Sequence, residues 1–260
     1  MSRYSDRERY FSELAETSSR FYIPFVRRFA SIGPGTTVLE IGCGEGGNLA
    51  PFASEGCEVY GVDISAGKID NARKFFSDRG LKGEFVCCNF LTESLPFEKA
   101  DIVIVKDVIE HIEPGDKPIF MSGIRSCMKP GAIVFMGFPA WQMPFGGHQQ
   151  ICRSRVCSHL PWTHLLPAGL YRRYLKLFRE DPGQIKELMS IKRSRMSVEG
   201  FEKLCRRSGF RTKERDLWLI NPHYKVKFGL RPVRMPGFLA AIPWLRDFMA
   251  TSCHYILQAD

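Results

Sequence analysis

Val38-Leu39-Glu40-Ile41-Gly42-Cys43-Gly44-Glu45-Gly46-Gly47-Asn48 is the stretch that decides the fold. Four residues with an apolar majority run into a turn packed with glycine, and Asn48-Leu49-Ala50 opens a helix that reaches Ser54. Strand, tight glycine turn and helix in that order let a ligand lie against bare backbone at the carboxyl end of a central strand. A Cβ in such a turn would block both the left-handed dihedrals and the ligand's close approach, so glycine is required there.

Outward from this stretch the βα rhythm continues. Glu58–Val62 reads as a second strand with Asp63 at its tip, and Ser65–Asp78 as a helix carrying Ile69, Ala72 and Phe75-Phe76 at helical spacing. Glu84–Cys88 is a third strand and Asp101–Val105 a fourth; Lys117–Met128 is a helix stopped by Pro130-Gly131, and Ala132–Phe138 is a fifth strand. The near-continuous apolar character of strands four and five is what a parallel sheet covered on both faces requires. Right-handed crossovers then give a doubly wound α/β sheet with its ligand crevice outside the strands' carboxyl ends.

The rest of the chain divides around that core of residues 31–138. Residues 1–30 read as a helical cap, amphipathic over 4–29 and broken near Ile23-Pro24. After Phe138 the rhythm stops, and residues 139–197 carry scattered Pro and Gly between helical pieces. A segment this long does not fit an ordinary βα connection, so it reads as an inserted lid or acceptor lobe. Residues 198–260 complete the sheet with a helix over Val198–Ser208, a strand over Arg211–Ile220 and a last strand over Cys253–Gln258, around a second excursion at 221–250.

Composition sets the class. In 260 residues, 44% are hydrophobic and 25% charged, a globular balance that excludes disorder. No apolar run reaches about 18 residues and no signal-peptide core follows Met1, so the expectation is a soluble cytoplasmic protein. The nine cysteines are scattered through strands and helices, which fits buried reduced thiols. Charge is uneven: residues 1–138 hold 16 Lys/Arg and 19 Asp/Glu, a net −3, whereas residues 139–260 hold 21 and 9, a net +12. The basic half is either a solvated face or a surface for a carboxylate, a phosphate, a membrane or a nucleic acid. Oligomeric state is not legible.

The glycine loop alone admits nicotinamide, flavin and methyl-donor cofactors. Glycines at 42, 44 and 46 are spaced one position tighter than the dinucleotide pattern, but Gly47 supplies the looser spacing too. Asp63 suits any adenosine ribose, whose hydroxyls a carboxylate accepts. The flanks separate the candidates. Glu40 stands two residues before the first glycine, where a dinucleotide fold wants an apolar side chain. S-adenosylmethionine brings a sulfonium and an ammonium, whereas Glu40 and Glu45 would repel the two phosphates of NAD.

On these residues the chain resembles the class I S-adenosylmethionine-dependent methyltransferases. Val38 to Gly46 is similar to their first motif, Gly61-Val62-Asp63-Ile64-Ser65 to their acidic second motif, and Asp101 to Ile112 to their fourth-strand signature, with Ile109 in place of a leucine before Glu110-His111. Met128-Lys129-Pro130-Gly131-Ala132 matches the turn before strand five. The resemblance spans residues 35–138 and implies a Rossmann-like, mostly parallel seven-stranded sheet whose last strand, Cys253–Gln258, is antiparallel. It implies a cofactor site for S-adenosylmethionine and its product S-adenosylhomocysteine. Gly42 and Gly44 would face the methionine part, with Cys43 and Asn48 in the same loop and Glu40 helping to hold the ammonium. Asp63 would accept the ribose hydroxyls and Ile64 would pack on the adenine. Asn89 stands where relatives often carry an aspartate for the adenine amine; its side-chain carbonyl can still accept, which implies weaker donor binding. Phe90 beside it reads equally as an adenine-edge contact or as core. Lys106 falls where strand four opens towards the sulfonium, with its head expected to turn outward or towards the acceptor.

Direct displacement at a sulfonium needs no acid for the leaving thioether. The protein must supply alignment within roughly 3–3.5 Å and, for an O–H acceptor, a base. His111 belongs to the shared signature and reads as structural. His148, in Pro144-Phe145-Gly146-Gly147-His148-Gln149-Gln150, is the candidate substrate contact or base. Cys152, Cys157, His159 and His164 add ligand types for zinc, but without a C-x-x-C core the expectation is no metal. The expected function is methyl transfer to a small-molecule acceptor, anionic or partly apolar. A lipid or quinone-like, RNA or protein acceptor stays open beside it, as does a noncatalytic S-adenosylmethionine-binding or partner protein.

Overall fold

The computed structural model describes residues 6–259. Strand β1 (Thr37–Ile41) lies inside the sheet, and all five of its residues are buried. It pairs in parallel with β2 (Glu58–Asp63) on one side and β4 (Ala100–Lys106) on the other. Beyond them β3 (Glu84–Cys87) flanks β2 and β5 (Met128–Phe138) flanks β4, again in parallel. Then β8 (Ser252–Ala259) runs antiparallel to β5, and β6 (Phe210–Ile220) antiparallel to β8. These seven strands are the expected sheet. A two-residue strand, β7 (Val233–Arg234), adds an eighth at the edge, giving the order β3-β2-β1-β4-β5-β8-β6-β7.

Side chains of β1 alternate between two cores, as pleating requires. Leu39 and Ile41 enter one with Val103, Val105, Phe120, Ile124 and Phe201. Val38 enters the other with Ile102, Ile104, Phe11, Phe52 and Phe76. Helices α3 (Ala50–Ser54), α4 (Ala66–Asp78), α5 (Lys117–Ser126) and α9 (Val198–Arg207) cover the sheet.

Two local expectations are corrected. Pro130-Gly131 does not separate helix from strand, because α5 ends at Ser126 and β5 already begins at Met128. A register shift between Ala100 and Ile102 on β4 absorbs the irregularity, with Gly131 in the left-handed region at φ +79°. The N-terminal helix does not break at Pro24. Helix α1 (Arg7–Thr17) runs through a wide π turn at Ser18–Tyr22 into α2 (Ile23–Val26). Pro24 follows the π turn directly, in the first turn of α2. The first five residues of the expected cap lie outside the described residues.

Residues 139–197 hold α6 (Arg155–His159), α7 (Ala168–Leu177) and α8 (Pro182–Ser194), with a core of their own formed by Cys152, Cys157, Tyr171, Leu175, Leu188 and Met189. The Glu180 carboxylate ties this lobe's entry, accepting from Arg153 N and Ser154 N at 2.9 Å each. The second excursion carries α10 (His223–Phe228), α11 (Gly237–Ala240) and α12 (Leu245–Met249). It docks through Arg246 to Glu199 at 2.9 Å and through Val198 N, which donates to Asp247 Oδ1 at 2.9 Å. Among the described residues no helix is long and apolar enough to cross a membrane, and all nine cysteines are free thiols.

Candidate active site

The loop after β1 is shaped by its contacts. Gly42 and Cys43 both donate their backbone N–H to Val62 O, at 2.7 and 3.0 Å, which folds the loop back over β2. Gly42 has φ +74°, and a Cβ on it would stand 2.4 Å from Val108 Cγ2, so it meets both demands for glycine. At Gly44, φ +55°, no atom lies within 4 Å of where a Cβ would be. Helix α1 seals the loop from behind: a Cβ on Gly47 would sit 2.7 Å from Phe11 O, and Arg7 pairs with the buried Glu45 at 3.1 Å.

Asp63 at the tip of β2 organises the cleft. Its Oδ2 accepts from Gly44 N at 3.0 Å and its Oδ1 from Ser65 N at 2.9 Å. The cleft has a volume of about 540 Å³, and its lining includes Gly42, Asp63, Ile64, Asn89, Phe90, Asp107 and His111. Ile64 is 71% exposed at its rim, a large apolar side chain with no protein partner covering it. Asn89 Oδ1 already accepts from Leu91 N at 3.1 Å, so one lone pair of that oxygen remains for a ligand. Phe90 does both jobs named for it, lining the cleft while its ring meets Phe120 edge-on at 5.3 Å.

Five of the expected cofactor residues, Glu40, Cys43, Gly44, Asn48 and Lys106, fall outside the cleft lining. Glu40 is 1% exposed; its Oε1 accepts from Asn48 Nδ2 at 2.7 Å, while its Oε2 and Asn48 Oδ1 have no partner. Burial, more than the Asp63 carboxylate, pushes Glu40 up to about 8. Cys43 is buried with its thiol against β2, where a Cβ on Gly61 would meet its Sγ at 2.8 Å. Lys106 also lies outside the lining, its ammonium paired with Asp107 and its stem against Gly137. Burial alone would lower the Lys106 ammonium, but the Asp107 carboxylate, with Tyr22 and Glu110 behind it, holds it above its ordinary value.

The residues present fit S-adenosylmethionine. The buried, unpartnered Glu40 Oε2 lies under the loop with the Asp63 carboxylate nearby, and a cationic cofactor there would favour the charged form of the Glu40 carboxyl. Gly42 and Gly44 would give it bare backbone, and Ile64 an apolar face for a base.

On the acceptor side, β4 and β5 are parallel neighbours with Lys106 opposite Gly137, so the loops that follow them leave the sheet side by side. The first brings Asp107, Glu110 and His111; the second brings His148. Two glycines aim His148. A Cβ on Gly146 would lie 2.3 Å from Trp141 O, and one on Gly147 would lie 2.2 Å from His164 Cβ. His148 itself takes the left-handed conformation at φ +56°, an uncommon one for a residue with a Cβ. Its ring packs edge-on against His111 at 5.0 Å, and its Nε2 stands 4.0 Å from Glu110 Oε1. Burial, then the neighbouring His111, lowers His148 to about 4, so the imidazole is neutral near pH 7. Glu110 is 3% exposed, and burial, then Asp107, pushes it up to about 8.

The thiols and imidazoles considered for zinc do not converge. Cys152 and Cys157 sit in the lobe core, His164 Nε2 bonds Trp141 O at 2.8 Å, and His159 lies on the exposed end of α6. Sequence reasoning missed Glu110. The available signal was an acidic residue beside a histidine just after strand four, facing the loop after strand five.

The profile of the methyltransferase domain family matches residues 38–131, the segment that builds the glycine loop, Asp63 and the Glu110-His111 turn. That segment is a methyltransferase domain, and the fold around it is that of the class I S-adenosylmethionine-dependent methyltransferases, whose cofactor is S-adenosylmethionine. Among curated proteins the chain is similar to the ubiquinone biosynthesis O-methyltransferase of Bradyrhizobium sp. (strain ORS 278), 35% identical over 100 residues that cover 38% of each chain. The corresponding enzyme of Bartonella bacilliformis is 26% identical over 187 residues, 68% of each chain. The match thus spans little more than a third of the first of these relatives. Among solved structures the fold is shared with magnesium protoporphyrin IX methyltransferase from Synechocystis PCC 6803 with bound S-adenosylhomocysteine, at TM-score 0.57 and 15% identity, covering 95% of this chain and 84% of that one. It is also shared with a putative sarcosine dimethylglycine methyltransferase from Galdieria sulphuraria, at TM-score 0.59 and 13% identity over 92% and 84%.

Proposed function

We propose that this methyltransferase methylates an oxygen of a small molecule held between the cofactor cleft and the 139–197 lobe. One observation carries the reading: the half-buried His148 imidazole packs edge-on against His111, which lines the cleft. S-adenosylmethionine supplies a methyl group whose leaving thioether needs no proton. The chain must therefore align an acceptor and take the hydroxyl's proton, and a neutral imidazole can do so near pH 7. The curated relatives are O-methyltransferases, which favours oxygen as the acceptor atom.

Two further features bear on the acceptor's body. Arg195, Lys203 and Arg207 line, with Trp141 and Trp244, a separate cavity of about 710 Å³, which supports an anionic and partly aromatic molecule. On the second excursion Phe238, Ile242, Trp244 and Phe248 are exposed near Arg231 and Arg234, which supports an acceptor with an apolar body or one met at a lipid surface.

The test is a methyl-radiolabelled donor offered with soluble metabolites, extracted lipids and total RNA. Label is expected in a small-molecule fraction. Label in RNA or protein alone refutes the reading, and label nowhere points to a noncatalytic binder. With an acceptor in hand, His148→Ala should slow turnover by roughly 10²–10⁴-fold while donor affinity stays within about twofold.

A further inference from the structure

The geometry points to Glu110, His111 and His148 as a binding site for one divalent first-row cation at the acceptor edge of the cleft. The cation site stands whether or not the chain transfers methyl groups; the acceptor class drawn from it rests on the methyltransferase reading.

The three side chains come from two loops that meet only because β4 and β5 are parallel neighbours. Each offers one ligand atom, and these atoms all lie within 4.8 Å of one another. Bonds of about 2.0–2.2 Å around a tetrahedral ion set its ligands roughly 3.3–3.5 Å apart, so closing on a cation takes about 1 Å of side-chain rotation.

The independent sign of a missing ligand is Glu110. Its side chain is 4% exposed, and neither carboxyl oxygen has a hydrogen-bond partner. A buried carboxylate left without donors is costly, and natural proteins rarely leave one so. The lysines nearby are committed elsewhere: Lys106 to Asp107, and Lys117 Nζ to Ser194 O. Glu110's backbone is also fixed, since Ser194 Oγ donates to Glu110 O at 2.6 Å. His148 is held in a left-handed conformation that is strained for a residue with a Cβ, and such strain persists where surroundings over-determine it. Gly146 and Gly147 are those surroundings, each pressed against its neighbours too closely for a side chain.

Two imidazoles and one carboxylate form a three-ligand set that leaves coordination positions open. That donor set suits zinc, manganese, iron(II) or nickel, whereas calcium and magnesium favour all-oxygen shells. With Glu110 closed off behind and His111 lining the cleft, the open positions are left for the cleft side. A cation there would hold an acceptor with two adjacent oxygens, such as a catechol or a vicinal diol, and lower the pKa of a bound hydroxyl. With the cation bound, His148 is its ligand in place of the base role it has in the metal-free site, and the acidified hydroxyl gives its proton to water.

Manganese(II) is the probe, because nine thiols would confuse a zinc titration. Full-length protein stripped with a chelator is titrated with MnCl2, following loss of the free-ion EPR signal. One ion per chain is expected, with affinity reduced at least tenfold in Glu110→Gln and in His148→Ala and unchanged in Cys152→Ser. Manganese should also raise the Tm of wild type but not of Glu110→Gln, which checks that the variants fold. Failure of wild type to bind, or binding untouched by both site variants, overturns the site. S-adenosylhomocysteine titrated into the same samples tests the methyltransferase reading separately. Catechol should bind the manganese-loaded protein at least tenfold more tightly than phenol; equal binding overturns the acceptor class.

Discussion

Replacing Asp63 with alanine tests the cofactor cleft at the residue that shapes it and that we propose holds the cofactor's ribose. The carboxylate accepts from Gly44 N at 3.0 Å and from Ser65 N at 2.9 Å, so its loss frees two donors in the loop after β1 and in the turn before α4. Water reaches this partly exposed site, which keeps the net cost near 1 kcal/mol per bond, about 2 kcal/mol together. In a chain of this size 1 kcal/mol moves Tm by roughly 2–4 °C, so Asp63→Ala should melt about 4–8 °C lower. Binding loses more. The ribose hydroxyls would forfeit two charge-assisted bonds while the loop that cradles the methionine part loosens. With each 1.4 kcal/mol worth a factor of ten, S-adenosylhomocysteine should bind at least tenfold more weakly. Asp63→Asn is the informative companion, because its NH2 must face one of the two N–H donors; it should lose nearly as much. Calorimetric titration with S-adenosylhomocysteine and a thermal melt of each protein decide the matter. A variant that melts lower yet binds within twofold of wild type would refute the ribose contact. One that melts like wild type would refute the loop argument.

Other outcomes follow from the same geometry. Glu40 holds its proton more tightly folded than unfolded, so its contribution to stability is complete below about pH 4.5 and is lost as pH rises through about 8. The cofactor-free Glu40→Gln protein should therefore gain on wild type in Tm as pH rises from 5 to 8.5, and a constant gap would contradict the buried carboxyl. Because His148 is lowered to about 4, turnover should not climb through the ordinary histidine range; a kcat profile rising with a midpoint near 6.5 would show a solvated ring instead. Gly147→Ala places a Cβ 2.2 Å from His164 Cβ, so it should cost about 1–3 kcal/mol in a denaturant melt and cut turnover more than donor binding. Unchanged stability would mean the His148 turn is looser than described.

Much of this was legible before any coordinates. The fourth strand, read as Asp101–Val105 from its apolar continuity, extends over Ala100–Lys106, because buried parallel strands carry their signal at every residue. The glycine loop and Asp63 were readable because their chemistry is local. Pro130-Gly131 misled, since the pair ordinarily punctuates and here a register shift on the neighbouring strand takes it into β5. Glu110 was missed for a different reason. Its loneliness is a property of three-dimensional surroundings, and no spacing in the chain reports that Lys106 and Lys117 are occupied elsewhere. The cysteines of the lobe were readable as ligand types, but only burial in an apolar cluster assigns Cys152 and Cys157 to packing.

The lobe between β5 and α9 leaves and rejoins the body at a single point, where Trp141 N donates to Met196 O at 2.8 Å. A detour whose two ends are already clasped imposes little on the strands it interrupts, and lengthening it adds closure entropy only logarithmically. On the proposed reading that the detour contacts the acceptor, a graft cut at Trp141 and Met196 would exchange it whole while leaving the sheet in place, which makes that clasp the natural place to alter the acceptor by design.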